Sequence, residues 1–304
     1  MNFKFYLFLT ILCALCQSCF TGIESTPKIS LDNSVEETTT IITTEQKLLS
    51  HIQRQPFDQW QKGKEFIVTD NKISLIFNSS PSPFVNDTIK YCKYTTLTTV
   101  DGSIATQLFF THNNSDTLTY IINSSPQKLA TNKSFEIPFT VQRDMINGVK
   151  EILLNNKYYI ITPLAYDTDD NNISQPKYIQ VTINDVTVGN HLYPIKISYT
   201  NEFNKSANIY MTIGNDLQST RNFETLFSLS NPRLKYPKIT ESHWNNIINN
   251  MVSHGMTKEE CRLSLGEPTS IERTPSYAGV IEFWAYSNGY QLVFEDGLLK
   301  NYKR

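Results

Sequence analysis

Over residues 57–214 the chain breaks into short β-prone runs separated by Asn, Asp, Gly and Pro, and this punctuation decides the fold class. The sequence predicts strands over 66–68, 73–77, 88–100, 104–110, 118–122, 135–141, 151–154, 157–164, 178–183, 193–200 and 207–213. Asp101-Gly102, between two of these runs, is a strong hairpin signal. Many short strands at even spacing predict an antiparallel β-sandwich or barrel-like domain. Thr43 and Gln46 have the spacing of a capping box and predict a short helix through Leu48, Leu49 and Ile52, ended by Pro56. Phe223, Leu226 and Phe227 predict a closing helix, so the β-rich domain spans 43–230, with 231–237 as a linker.

Beyond the linker the period changes. Trp244, Ile247, Ile248, Met251 and Val252 fall on one helical face, and Gly255 is the expected stop. Thr257 and Glu260 form a second capping box, flanked by Met256 and Cys261 at the positions of a hydrophobic staple. Gly266 and Pro268 then end that helix. Strands are expected over 269–273, 280–286, 290–295 and 298–302, with turns at Asn288-Gly289 and Asp296-Gly297. The chain is thus expected to be mainly β, with an α+β C-terminal module of two helices and a three- or four-strand meander.

Gly255, Thr257, Lys258, Glu260, Gly266, Pro268, Glu282, Trp284, Tyr286 and Gly297, in this order and spacing, resemble the motif of the SmpA/OmlA/BamE-like family. The resemblance covers residues 238–304. It implies a helix-helix-sheet fold and a non-enzymatic role in protein binding or envelope assembly. For the motif residues themselves, core packing is the first reading and partner contact the second.

The N-terminal segment 1–18 has a short start with Lys4, an apolar run and a polar end. The run is shorter than the roughly 20 residues of a spanning helix and suits a secretory signal. Cys16-Gln17-Ser18-Cys19 resembles a loose form of the lipobox of bacterial lipoproteins. That resemblance implies removal of 1–18, acylation of Cys19 and a lipid-mediated membrane contact, with 19–42 as a flexible tether. The alternatives are an ordinary signal peptide with incidental cysteines and an uncleaved anchor. Phe20 after the anchor position favours an outer-membrane address, and the lack of an acidic run beside Cys19 favours the periplasmic leaflet of a Gram-negative envelope.

Lys and Arg number 27 against 29 Asp and Glu, well mixed, which argues against nucleic acid as a partner. Of five cysteines, only Cys92 and Cys261 lie beyond the signal and anchor. Each sits in an apolar pattern suited to a free thiol, with a disulfide between them as the alternative.

Motifs for chemistry are absent: no nucleophile elbow, zinc helix or phosphate loop occurs. His51, His112, His191, His243 and His254 are scattered and read as satisfied or exposed. Asp167-Thr168-Asp169-Asp170-Asn171-Asn172 opens like a calcium loop but lacks its glycine and bidentate Glu, so a solvated hairpin tip is expected. Asp58, Glu65 and Asp70 near Trp60 could form a sugar site. Asn-x-Ser/Thr sequons, such as that at Asn204, are what this composition produces by chance. No catalytic, cofactor or metal residue is assigned. The expected function is a lipid-anchored envelope protein that binds or scaffolds another envelope protein. The rivals are a carbohydrate- or peptidoglycan-active or -binding protein and an inhibitor of a secreted enzyme.

Overall fold

The computed structural model describes residues 43–77, 83–112, 116–213, 220–277 and 279–304. The segment 1–18, Cys19 and the tether 19–42 lie outside the described residues. The chain opens with α1 (Thr44–Leu48), β1 (Glu65–Val68), β2 (Thr88–Thr98), β3 (Ile104–His112) and β4 (Asp116–Ile122). Then come α2 (Pro126–Thr131), β5 (Thr140–Gln142), α3 (Arg143–Leu153), β6 (Lys157–Ile160), β7 (Leu164–Tyr166) and β8 (Asn172–Ser174). β9 (Ile179–Val188), β10 (Ile195–Asn201), β11 (Ser206–Met211), α4 (Phe223–Leu226) and β12 (Phe227–Ser228) complete the β-rich region. The C-terminal part holds α5 (Glu241–Ile248), α6 (Lys258–Leu265), β13 (Ser270–Ser276), β14 (Gly279–Ala285), β15 (Gln291–Glu295) and β16 (Leu298–Lys303).

The fold is mainly β, with three antiparallel sheets among the described residues. The first has the order β4-β3-β2-β1-β5 and the second β12-β6-β9-β10-β11-β7-β8. Neither sheet pairs with the other, and instead of closing as the expected sandwich or barrel around a single core they serve two cores, one aromatic and one aliphatic, the second of which they share. One face of the first sheet, through Phe66, Ile89, Tyr91, Leu108, Phe110 and Leu118, closes over an aromatic interior. Trp60 lies in that interior, 4.8 Å from Phe66 and stacked on Phe135 at 5.6 Å. The second sheet instead buries Ile, Val and Leu beneath α3, whose Met145, Ile146, Val149 and Leu153 form one stripe. Ile67 and Val141, on the opposite face of the first sheet, join this aliphatic interior.

Three strand expectations fail for local reasons. Residues 151–153 belong to α3 and Leu154 caps it: the apolar run hides the end of a helical stripe that starts at Met145. Residues 73–77 fall mostly in the 3-10 helix Asn71–Leu75, where Asp70 accepts a hydrogen bond from the Lys72 N–H at 2.9 Å. Of 135–141 only the end is extended, in β5.

In the C-terminal part the sheet follows sequence order, β13-β14-β15-β16. α5 stops at Ile248, earlier than Gly255. Asn250 takes a left-handed φ of 59° there. The Met251 N–H donates to the Asn246 carbonyl and the Asn250 N–H to the Ile247 carbonyl, a Schellman ending with Asn in place of Gly. The docking onto the β-rich region runs through Gln175, Lys177 and Tyr178. The Lys177 N–H donates to the Ile248 carbonyl, Asn250 Nδ2 to the Gln175 carbonyl at 2.9 Å, and Tyr178 stacks on Trp244 at 5.6 Å. Among the described residues no helix is long and apolar enough to cross a membrane.

Candidate functional site

The motif residues of the C-terminal module serve its own architecture. The Glu260 N–H donates to Thr257 Oγ1 at 3.2 Å, and the Thr257 N–H donates to Glu260 Oε2 at 2.6 Å. Glu260 Oε1 also lies 3.1 Å from His243 Nδ1. The Gly255 N–H donates to the Leu299 carbonyl at 2.9 Å, tying the helix junction to β16. Gly266 closes α6 with φ 86° and ψ −163°, a conformation essentially confined to glycine, and Pro268 follows two residues on. Asp296 and Gly297 both have positive φ, as the two-residue hairpin turn requires. Trp284 and Tyr286 are core residues, with Met256 and Cys261 beside them.

The sequence motif holds Lys258, Glu282 and Trp284, but not the polar centre that they build with Arg273. Glu282 Oε1 accepts from Lys258 Nζ at 2.7 Å and Arg273 Nε at 3.2 Å, while its Oε2 accepts from Trp284 Nε1 at 3.0 Å. The Lys258 hydrogen bond, followed by those of Trp284 and Arg273, holds the Glu282 carboxyl down at about 2 against the opposing effect of burial. Its signal was present in the sequence: Glu282, Trp284 and Tyr286 alternate along one strand face.

Other sequence candidates resolve into local ties. Asp167 Oδ1 accepts from the N–H groups of Asp169 and Asn171, and Asp170 takes Lys196 and Tyr210, so the acidic loop is a self-bonded hairpin tip. Trp60 is buried and donates to the Gln55 carbonyl at 2.9 Å, which leaves no aromatic platform for a sugar there. Glu65 pairs with Lys90 and Arg143, Asp70 caps a turn, and Asp58 is exposed. His112 is buried against Asp87 at 2.9 Å, and His254 lies 2.7 Å from the Lys300 carbonyl. His51 is exposed. Among the described residues no cluster of three His, Cys, Asp or Glu side chains could hold a metal. Cys92 and Cys261 are free thiols, and burial pushes Cys261 up to about 12.

What the structure adds is a seam where the aliphatic interior runs out between the first two sheets. One wall comes from Thr69, Ile137, Phe139 and Val141 at the β1–β5 edge. His191, Leu192 and Pro194 of the β9–β10 loop form the other, and Met145 of α3 lies between. The cavity measures about 340 Å³, within the range of ligand sites. A wider groove of about 820 Å³ adjoins it, sharing Arg54, Met145 and Ile213 and bordered by His51, Gln53, Gln55, Gln59, Lys133 and Ser134.

Each wall is held by local chemistry. An added Cβ on Gly189 would stand 2.2 Å from the Tyr193 carbonyl oxygen, so the β9–β10 loop requires glycine. Asn190 Oδ1 accepts from the N–H groups of Leu192 and Tyr193 at 3.0 and 2.9 Å. That turn leaves Leu192 64% exposed on the lip. Opposite, Phe139 has φ 61°, strained for a bulky residue. It is held by the Thr69 N–H, which donates to its carbonyl at 2.8 Å, and its ring lies 6.0 Å from that of His191. The Gln142 side chain accepts from the Gln55 N–H at 2.8 Å and donates to the Gln55 carbonyl at 3.0 Å. It thereby pairs as a neighbouring strand would and fixes the 53–56 segment beside the seam.

The charges balance unevenly. Arg54 forms an ion pair with Glu136, and His191 lies 3.3 Å from Asp70. Lys133 makes no ion pair among the described residues, so the groove carries a cationic excess in a chain whose net charge is −2. Thr69 is only 5% exposed, and its hydroxyl has no hydrogen-bond partner among the described residues. The seam is thus suited to an apolar group with a hydrogen-bonding atom beside it. No sequence pattern singles these residues out, because they come from five separate stretches of chain. Comparison with protein-family models, curated proteins and solved structures finds no match.

Proposed function

We propose that this chain is a lipid-anchored protein of a Gram-negative envelope that binds and scaffolds other envelope proteins. The observation that carries the reading is the open seam groove, preformed between two sheets and walled by residues whose backbone N–H groups are held by the side chains of Asn190 and Gln142. Preorganised walls favour binding because little side-chain and loop ordering is lost on association. The order of two helices and a four-strand meander supports a BamE-like reading of residues 238–304. Anchoring through Cys19, with the folded part on the periplasmic side of the outer membrane, is the corresponding address.

The test is cross-linking in cells, followed by capture of the tagged full chain and identification of attached envelope proteins. A defined partner is expected, and it should be lost when Cys19→Ala releases the chain from its membrane. Retention of glycans with no protein partner would refute the scaffold reading.

A further inference from the structure

We propose that the seam takes an extended peptide segment of a partner, with one bulky uncharged side chain in the cavity and an acidic residue over the adjoining groove. This rests on the protein-binding reading and names the chemistry of what is bound. Three features carry it. The inner cavity sets the apolar side chains of Ile137, Phe139, Val141, Met145 and Ile213 beside polar ones that include the Arg54–Glu136 ion pair, with a volume suited to one large side chain and its backbone. The groove beside it is rimmed by amide and cationic side chains, which match main-chain groups and a carboxylate. Lys133 supplies the unbalanced charge.

The third feature is Thr69. Among the described residues its hydroxyl is buried without a partner, and the residue lines the cavity. A turn of about 120° around χ1 carries the hydroxyl to another staggered position, so an occupant that offers an amide partner can draw it out and satisfy it. An acyl chain offers none and leaves that group unsatisfied. A peptide is therefore favoured over a lipid tail, and the cationic rim adds a preference for acidic over basic neighbours.

The full chain, reconstituted in lipid nanodiscs, is titrated with short end-blocked fluorescent peptides. The reference peptide is an alternating Ser/Asp sequence with a central Phe. One variant carries Ala at the centre, and another has Lys in place of Asp. Binding of the Phe peptide is expected, roughly tenfold or more weaker with Ala, and weaker with Lys in a salt-sensitive way. Thr69→Val keeps the shape of the side chain and should leave folding intact while weakening the Phe peptide about fivefold to tenfold. Leu192→Asp on the exposed lip should weaken it as well. Equal binding of the Phe and Ala peptides, or binding of a fluorescent long-chain fatty acid with no binding of any peptide, overturns the proposal.

A photo-crosslinking residue at Leu192, compared with one at the exposed Phe283 of the C-terminal sheet, separates the two levels in cells. Adducts at Leu192 that map to an apolar residue beside an acidic one support the seam. Protein adducts only at Phe283 overturn the seam and leave the binding reading standing. Protein adducts at neither position overturn both.

Discussion

The C-terminal module and the two-sheet region solve the same problem, burying one face of an antiparallel sheet, in opposite ways. In the module, β13 to β16 pair in sequence order and two capped helices cover the sheet. In the two-sheet region β6 lies between β9 and β12, while β7 pairs with β11, so its interior is assembled from distant segments. The local arrangement closes fully around Trp284, whereas the non-local one leaves the seam. The lesson is that a cavity arises where two independently satisfied sheets must meet, since neither needs the other to complete its own hydrogen bonds.

Truncating the two interiors is the strongest way to break this comparison. Trp284→Ala should cost about 3–5 kcal/mol and Leu153→Ala about 2–5 kcal/mol. Urea unfolding of the full chains, followed by far-UV circular dichroism, should show an early separate transition for Trp284→Ala. A single shifted transition would mean that the docking through Tyr178 makes both regions one cooperative unit.

Acid should act next, and selectively on the module. Glu282 has a folded value of about 2 against 4.5 for the free group, so its contribution is complete above 4.5 and lost as pH falls towards 2. The urea midpoint of the module should fall across that window in the native chain and much less in Glu282→Gln. Equal slopes would remove Glu282 from the account.

Thr257→Ala deletes one half of a capping box and should destabilise the module by about 1 kcal/mol, read from the same unfolding curves. An unchanged curve would show that the Glu260 side-chain bond to the Thr257 N–H suffices.

The smallest effect is expected at the junction of the regions. Lys177 Nζ donates to the Ser264 carbonyl at 2.6 Å, and burial lowers its value from 10.5 to about 8. Between those values the unfolded chain holds the proton and the folded chain does not, so stability should rise with pH there. Lys177→Met should abolish that rise while changing stability at neutral pH by no more than about 1 kcal/mol. A rise that persists in the variant would place the titrating group elsewhere.

The module was legible because its signals are short-range. The capping box at Thr257, the Gly266 stop and the Asp296-Gly297 turn each depend on neighbours within a few residues, as does the box at Thr43 outside it. Even there, the end of α5 was misplaced, since Asn250 adopts the left-handed conformation usually left to glycine. α3 was missed because the strand-like run Ile152-Leu153-Leu154 outweighed the spacing of Met145, Ile146 and Val149. The seam was not legible at all. Thr69, Phe139 and Leu192 share no period, and their proximity depends on how sheets meet rather than on any local preference.

The clasp between Gln142 and Gln55 has a mechanical consequence. A pull arriving at residue 43 first loads the ties of α1, where Glu45 accepts from the Leu229 N–H and Thr43 reaches Glu224. Next along the chain come Leu49 and Ile52, buried in the aliphatic core, and only beyond them Gln55, whose two bonds to Gln142 stand at the lip of the seam. In a chain held from its N-terminal side, a weak tug is absorbed at α1. A stronger one unbuttons the clasp and frees one bank of the groove.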